Sequence, residues 1–371
     1  MITIKKVELI SLQLPMTIIF KTSFGTIDYR PVLLVKLTDD QGKVGLGESS
    51  LLDVPISEHE TTVKAIHLFE KQVFPKILGR SFRSMQLFYT LCAKEFVRFP
   101  VTMTGFESAC LHLFAQQDGL PFSKLFGGKK KKALIGMSIG IQPTRKDLYC
   151  AIKQSLDQGY GRIKIKIEPG YDVDVLEDVR DQFPHICLSV DANAAYGREH
   201  LSLLEGLDRF HLAMIEQPFG EKALALHAEL QRRIKTPLCL DESAHDLAST
   251  QKAIRMGAGK IVNIKPARVG GYRVAKQIHD FCERHHIPCW VGGRLESGVG
   301  SLFNLAFATL PNITLASEIL PSSSFLKEDI LSVPIPFEKG FMSFPSLPHG
   351  EISLNERVIK KYTKYERSFS S

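Results

Sequence analysis

The sequence predicts an α/β protein: a barrel of alternating strands and helices preceded by a separate α+β domain. Three observations carry that prediction. Lys166, Asp191, Glu216, Asp241 and Lys265 recur at steps of 25, 25, 25 and 24 residues. Each closes a short run of β-formers, at 162–166, 187–191, 212–216, 237–241 and 261–265. And a charge at the end of an apolar strand is costly unless the strand opens onto a solvated site. The step fits one strand, one loop and one amphipathic helix, the repeat of a barrel whose active site lies at the C-terminal strand ends.

Residues 1–125 stand outside this period. Segments 4–14 and 32–38 read as strands, followed by a turn at Gly45-Leu46-Gly47-Glu48. Segments 61–74 and 105–117 carry apolar residues at helical spacing. Segments 15–29 and 51–60 read as long loops of mixed polarity, a length usual for lids and binding loops. Residues 126–326 hold the barrel. Its first strand is expected at 134–139, and after the five runs above come strands at 287–291 and 313–317, each starting 26 residues after the last. Segments 145–158 and 273–285 show helical apolar faces between strands. Residues 327–371 are Pro-rich, then strand-like at 350–354. With no barrel strand left to add, this tail is expected to pack back on the first domain.

With 371 residues, 44% of them hydrophobic and 23% charged, the chain has the composition of a soluble globular protein. No apolar run reaches the roughly 18 residues of a membrane span. The first residues alternate like a strand rather than a signal peptide. Seven cysteines, an odd number without a C-x-x-C pair, point to a reduced, cytoplasmic setting, with Cys187, Cys239 and Cys289 packed as small hydrophobes in barrel strands. The net charge of +7 has its densest run at 129–132, right after Gly127-Gly128, which reads as a solvated turn. No nucleic-acid motif accompanies it, so the expected partner is a small anionic molecule drawn by a modest positive field. A homo-oligomer is expected.

Asp191, Glu216 and Asp241 would close strands three, four and five, and neighbouring strands lie about 5 Å apart. Three carboxylates that close raise one another's pKa unless a cation intervenes. An all-oxygen trio favours Mg²⁺, with Mn²⁺ as the other choice. The plainer alternative is that these acids cap helix N-termini. Lys166 and Lys265 would close strands two and six, four apart in an eight-stranded barrel and therefore opposed across its mouth. A cation beside them should depress their pKa and free an amine as base. That suits removal of a proton α to a carboxylate, the metal offsetting the second negative charge of the enediolate. Lys164, two residues before Lys166, faces the same way, to hold the substrate carboxylate or polarise Lys166.

The motifs Lys164-Ile-Lys166, Asp191-Ala-Asn193, Glu216-Gln217-Pro218, Asp241-Glu242-Ser243 and Asn263-Ile-Lys265-Pro266 together resemble the enolase superfamily in its muconate-lactonising subgroup. The resemblance implies a (β/α)7β TIM-like barrel with an N-terminal α+β capping domain completed by the C-terminal tail. Finer features resemble the o-succinylbenzoate synthase and N-succinylamino acid racemase family: the segment from Phe20 to Gly25, Gly136-Met-Ser138, Arg268-Val-Gly-Gly271, Gly292-Gly293 and Leu295-Glu-Ser-Gly298. In that family the lysine matching Lys166 removes the α-proton of a cyclohexadiene carboxylate. Loss of hydroxyl then gives o-succinylbenzoate, a menaquinone precursor. The lysine matching Lys265 stabilises the charge, and in racemisation both lysines exchange protons. Arg268 matches an arginine of members that also racemise, or is a rim ion pair.

Ser138, Asn193, Arg268, Gly292, Gly293 and Arg294 are expected to contact substrate, the glycines by letting a carboxylate meet backbone N–H groups or merely by shaping a turn. Glu242 and Glu296 are expected to support the site. Arg294 stands where relatives carry an apolar residue, Ala267 replaces a common glycine and Ser301 a usual arginine. Arg294 could pair with a succinyl carboxylate, mark another anionic substrate or turn to a rim acid. A dipeptide epimerase would carry Asp-x-Asp near strand eight, where this chain reads Ala316-Ser-Glu318. A muconate-type cycloisomerase fits the strand-seven glycines less well.

Overall fold

The computed structural model describes residues 1–22, 25–53 and 59–371, and all their side chains except those of 18–22, 25–27 and 349. The N-terminal domain is an antiparallel sheet, led by the hairpin of Ile2–Thr22 and Gly25–Asp39 with Val44–Ser49 beside it. Alternation along the hairpin gives each face its own core. Ile10, Leu12, Leu14, Val32 and Leu34 join the barrel's core. Val7, Leu9, Leu33, Val35 and Leu37 pack instead under the domain's own helices. The long helix Pro100–Gln117 starts on a proline, whose missing N–H costs nothing there, and the Glu60 carboxylate takes the N–H groups of Val101 and Thr102 at 2.9 and 2.8 Å. The last strand, Thr363–Ser370, pairs antiparallel with Ile2–Thr22, from Lys6 opposite Ser370 to Leu12 opposite Thr363.

The second unit is a seven-stranded parallel sheet in sequential order: Met137–Ile139, Ile163–Lys166, Leu188–Asp191, Ile215–Glu216, Leu238–Leu240, Ile261–Ile264 and Cys289–Val291. These are barrel strands one to seven below. The circle closes through isolated bridges of Ile135 and Gly292 to Ser317 and Glu318. Below the strand ends, Met214, Cys239, Ile261 and Trp290 fill the barrel. The Arg162 guanidinium lies 4.4 Å above the Trp290 ring.

Several sequence expectations need correction. Residues 15–22 and 25–29 are not a loop but the outer part of the hairpin, with Phe20 opposite Ile27 and Thr22 opposite Gly25. Residues 16–22 are mostly β-formers, and pairing satisfies backbone groups that a loop would leave to water. Ser23 and Phe24 lie outside the described residues, as do 54–58 of the expected loop 51–60. The expected first strand splits at Ile135-Gly136: Lys132–Leu134 pairs antiparallel with Phe341–Ser343, and only Met137–Ile139 joins the barrel. Segment 313–317 forms no strand, because Thr314 and Leu315 both turn their N–H groups onto the one carbonyl of Cys289. Segment 350–354 is no strand either, with a 3-10 turn at Pro348–Gly350 and one bridge at Leu354. Cys187 is exposed rather than packed, whereas Cys239 and Cys289 are buried.

Candidate active site

Parallel register sets the charged strand ends side by side, Lys166 opposite Asp191 and Asp191 opposite Glu216. Lys164 and Lys166, two residues apart, project from one face of strand two. Lys164 is only 3% exposed, and its Nζ lies 2.7 Å from Glu216 Oε2, 2.8 Å from Glu318 Oε2 and 3.3 Å from Asp191 Oδ2. The Lys166 side chain is 31% exposed and donates to Asp191 Oδ2 at 2.7 Å and to Asn193 Oδ1. Asn193, held in the left-handed region at φ 41°, passes the contact on, its Nδ2 donating to Glu242 Oε1 at 3.1 Å.

Four strands away, Lys265 donates to Asp241 Oδ2 at 2.8 Å. Arg268 forks onto the same carboxylate, Nη1 to Oδ1 and Nη2 to Oδ2 at 3.0 Å. So Arg268 forms an ion pair rather than standing free for substrate: it holds the third predicted ligand bidentately. Asn263, buried on strand six, donates to Glu216 Oε1 at 2.8 Å, and its own Oδ1 has no hydrogen-bond donor.

Burial alone pushes every one of these carboxylates up, and the neighbours decide the outcome. For Asp191, Lys164 and then Lys166 outweigh burial and leave its pKa lowered. For Asp241, Arg268 and Lys265 carry it far below the usual carboxylate range. Glu216 has one strong cation, Lys164, against burial and the charges of Asp191 and Asp241, and its pKa is pushed up to about 7. Lys164 is held well above its ordinary value. Burial pulls it down, but Glu216, Glu318 and Asp191 prevail.

The glycines of strand seven act differently from expectation. The Gly292 N–H bonds Ile264 O and the Gly293 N–H bonds Glu318 O, both at 3.0 Å, so neither is left to greet a carboxylate. Gly292 is required sterically: a Cβ there would stand 2.3 Å from Asn263 Oδ1 and 2.7 Å from Lys265 Cε. Arg294 donates its backbone N–H to Glu296 Oε2 at 2.8 Å, and Glu296 is buried. Ser138 lies half-buried on strand one, next in register to Lys164. The Glu242 carboxyl is pushed up by burial and by Asp241, and its Oε2 is buried without a donor.

The sequence reading missed two members of this cluster. Arg162 donates to Glu318 Oε1 at 3.1 Å and to Ala316 O at 2.9 Å. It starts the run whose third and fifth residues are Lys164 and Lys166, so strand alternation alone placed it on their face. Glu318 follows directly on the segment expected as strand eight, and was weighed only against a missing Asp-x-Asp motif.

A divalent cation suits this donor set. Asp191, Glu216 and Asp241 offer only oxygen, Glu216 lacks enough nearby positive charge, and the Asn263 Oδ1 stands unsatisfied behind them. In this arrangement lysine and arginine groups hold the three carboxylates. The three carboxylates do not converge as closely as expected: among the described residues, three ligand atoms fall within 4.8 Å of one another only at His279, Asp280 and Glu283, on an outer helix where His279 is already bonded to Asp280 and Asn312.

Known proteins resemble this chain over nearly its whole length. Residues 5–127 match the mandelate racemase / muconate lactonizing enzyme N-terminal domain, and residues 148–350 the enolase C-terminal domain-like family. The chain is 38% identical to an o-succinylbenzoate synthase of Geobacillus kaustophilus, over 99% of this chain and 98% of that one. It is 37% identical to an N-succinylamino acid racemase of Thermus thermophilus, over 99% of both. A crystal structure of an enolase superfamily member from Listeria innocua superposes with a TM-score of 0.93 at 34% identity, covering 100% of each chain.

Proposed function

The chain belongs to the mandelate racemase / muconate lactonizing enzyme family of the enolase superfamily, and from that premise we propose that it is an o-succinylbenzoate synthase. The observation that carries the reading is the pair of lysines on barrel strands two and six, with three carboxylates on the strands between them. Asp191, Glu216 and Asp241 would hold Mg²⁺ (or Mn²⁺), which when bound offsets the second negative charge of a carboxylate losing its α-proton. Lys166, the more open amine, takes that proton as base. The electron pair left at the α-carbon forms the ring double bond as hydroxyl leaves from the neighbouring carbon, taking the proton back from the Lys166 ammonium to depart as water. Lys265 faces the developing charge from the other side as an ammonium. Lys164, ringed by carboxylates, stays charged and orients the substrate carboxylate. Ser138, Asn193 and Arg294 line the approach to that carboxylate, with Glu242 and Glu296 fixing their surroundings.

The second reading, N-succinylamino acid racemase, is favoured by the presence of both lysines, since racemisation needs a base on each face. Arg268 fits it by holding Asp241 in register with Lys265. A small carboxylate substrate, a cytoplasmic setting and a homo-oligomeric state complete the proposal. The absence of a helix long and apolar enough to cross a membrane, among the described residues, is in keeping with it. The deciding assay supplies purified protein and Mg²⁺ with the cyclohexadiene carboxylate, and separately with N-succinyl amino acids in D₂O. Dehydration of the first supports the synthase. Deuterium at the α-carbon of the second, with the first untouched, would replace it by the racemase.

A further inference from the structure

The helices that follow barrel strands six and seven, Tyr272–Arg284 and Gly298–Ala308, have no side-chain N-cap of their own. The first N–H groups of a helix need acceptors from elsewhere. Here two buried carboxylates of the N-terminal domain supply them. Glu107, on the helix Pro100–Gln117, accepts from the backbone N–H of Tyr272, from that of Arg273 at 2.9 Å and from the Tyr89 hydroxyl. Glu48, on the strand Val44–Ser49, accepts from Ser297 N at 2.9 Å, Ser297 Oγ at 2.5 Å and Gly300 N at 2.8 Å. Glycine makes the approach possible at both seats. A Cβ on Gly271 would stand 1.9 Å from Glu107 Oε2, and one on Gly300 would stand 3.1 Å from the Glu48 carboxyl carbon.

Both seats directly follow site-bearing segments. Lys265 and Arg268 precede the first, and Gly292, Gly293 and Arg294 the second. Other contacts reinforce the hold. Ala267 is buried in the N-terminal domain's own core, and Arg30 Nε donates to Leu295 O at 3.0 Å. Lys164 and Lys166, in contrast, take their partners from barrel strands three and four and from Glu318.

We propose that Glu48 and Glu107 are positioning residues, by which the N-terminal domain sets the strand-six and strand-seven rim and with it the placement of Lys265 against Lys166. The inference rests on the two-lysine reading above. A carboxylate that only glued the domains together would affect both lysines alike. One that positions the rim separates them, because Lys265 leads into the seat on Glu107 whereas Lys166 takes its partners from the barrel alone.

Two measurements on the full-length protein with Mg²⁺ test this, using Glu107→Gln and Glu48→Gln, which keep side-chain size. The first is amide hydrogen exchange without substrate. Residues 266–275 should lose protection in Glu107→Gln and residues 293–302 in Glu48→Gln, with 163–170 unchanged in both. Unchanged protection at 266–275 and 293–302, or equal loss at 163–170, overturns the proposal. The second is α-proton exchange of each N-succinyl amino acid enantiomer in D₂O. The enantiomer whose exchange disappears in Lys265→Ala should slow about 10–100-fold in Glu107→Gln, and the other by no more than about twofold. Equal slowing of both overturns the proposal. Should the unmodified protein exchange neither enantiomer, the racemase reading fails, and amide exchange alone decides for or against the positioning role.

Discussion

The two walls of the barrel mouth carry the same chemistry, a lysine beside a carboxylate, yet they are held by different means. On the strand-two wall, Lys164 is sealed among three carboxylates and Lys166 stands partly open beside Asn193. All of these partners lie on the barrel. On the strand-six wall, Lys265 shares Asp241 with Arg268, and the chain beyond it is seated on Glu107 of the N-terminal domain. The contrast teaches that a symmetric pair of bases can sit in an asymmetric frame. One base is set by strand register, the other by the docking of a separate domain.

The largest expected effect comes from removing the open base. Lys166→Ala should lower kcat/KM for dehydration by about 10²–10⁴-fold or more, measured by release of o-succinylbenzoate, while Lys265→Ala spares more of the dehydration than of any racemisation. Equal loss from both in dehydration would erase the division of labour between the walls. Next is the carboxylate between them. Glu216→Gln should weaken Mg²⁺ binding, read by calorimetry, by at least the ~10–100-fold seen for groups that merely support metal ligands. Unchanged affinity would remove Glu216 from the ion's ligands.

A smaller effect should sharpen the comparison. Arg268→Gln frees Asp241 from its fork on the strand-six wall, so racemisation should fall by about tenfold more than dehydration, as kcat/KM ratios for the two reactions would show. Identical losses would make Arg268 a general prop.

The least effect on turnover, but a clear one on stability, comes from the domain that holds the strand-six wall. His112, on the same helix as Glu107, accepts the Leu46 N–H at Nδ1 and donates from Nε2 to Gly350 O. Burial lowers its pKa to about 4, the Gly350 bond pulling weakly the other way. The unfolded chain therefore takes up a proton near 6.5 that the folded chain refuses until about 4. Stability from this group is complete above pH 6.5 and falls by about 3 kcal/mol as pH drops through that window. Urea midpoints of the native protein and of His112→Gln should converge towards pH 4; a constant gap would show that His112 does not titrate in this way.

Much of the site was legible from the chain because barrel geometry is periodic. A residue that ends a strand, one repeat after another, must arrive on the same rim, and Lys166, Asp191, Glu216, Asp241 and Lys265 all do. Arg162 was equally legible by alternation and was passed over. The glycines were misread in their chemistry: Gly292 and Gly293 spend their N–H groups within the barrel, and Gly292 matters for the room it leaves Lys265. The outer hairpin was misread because mixed polarity at 15–29 resembles a loop until the opposing strand is known.

What the sequence determined by itself is therefore local and repetitive: strand ends, helix faces, and the order in which charges reach the mouth. Tertiary structure alone decided the contacts between residues far apart in the chain. Arg268 on Asp241, Glu318 on Lys164, and Glu48 and Glu107 on two barrel helices have no period to betray them. A hydrogen bond between domains depends on how two packed surfaces meet, and that is fixed only when the apolar faces of the hairpin have found the barrel on one side and their own helices on the other.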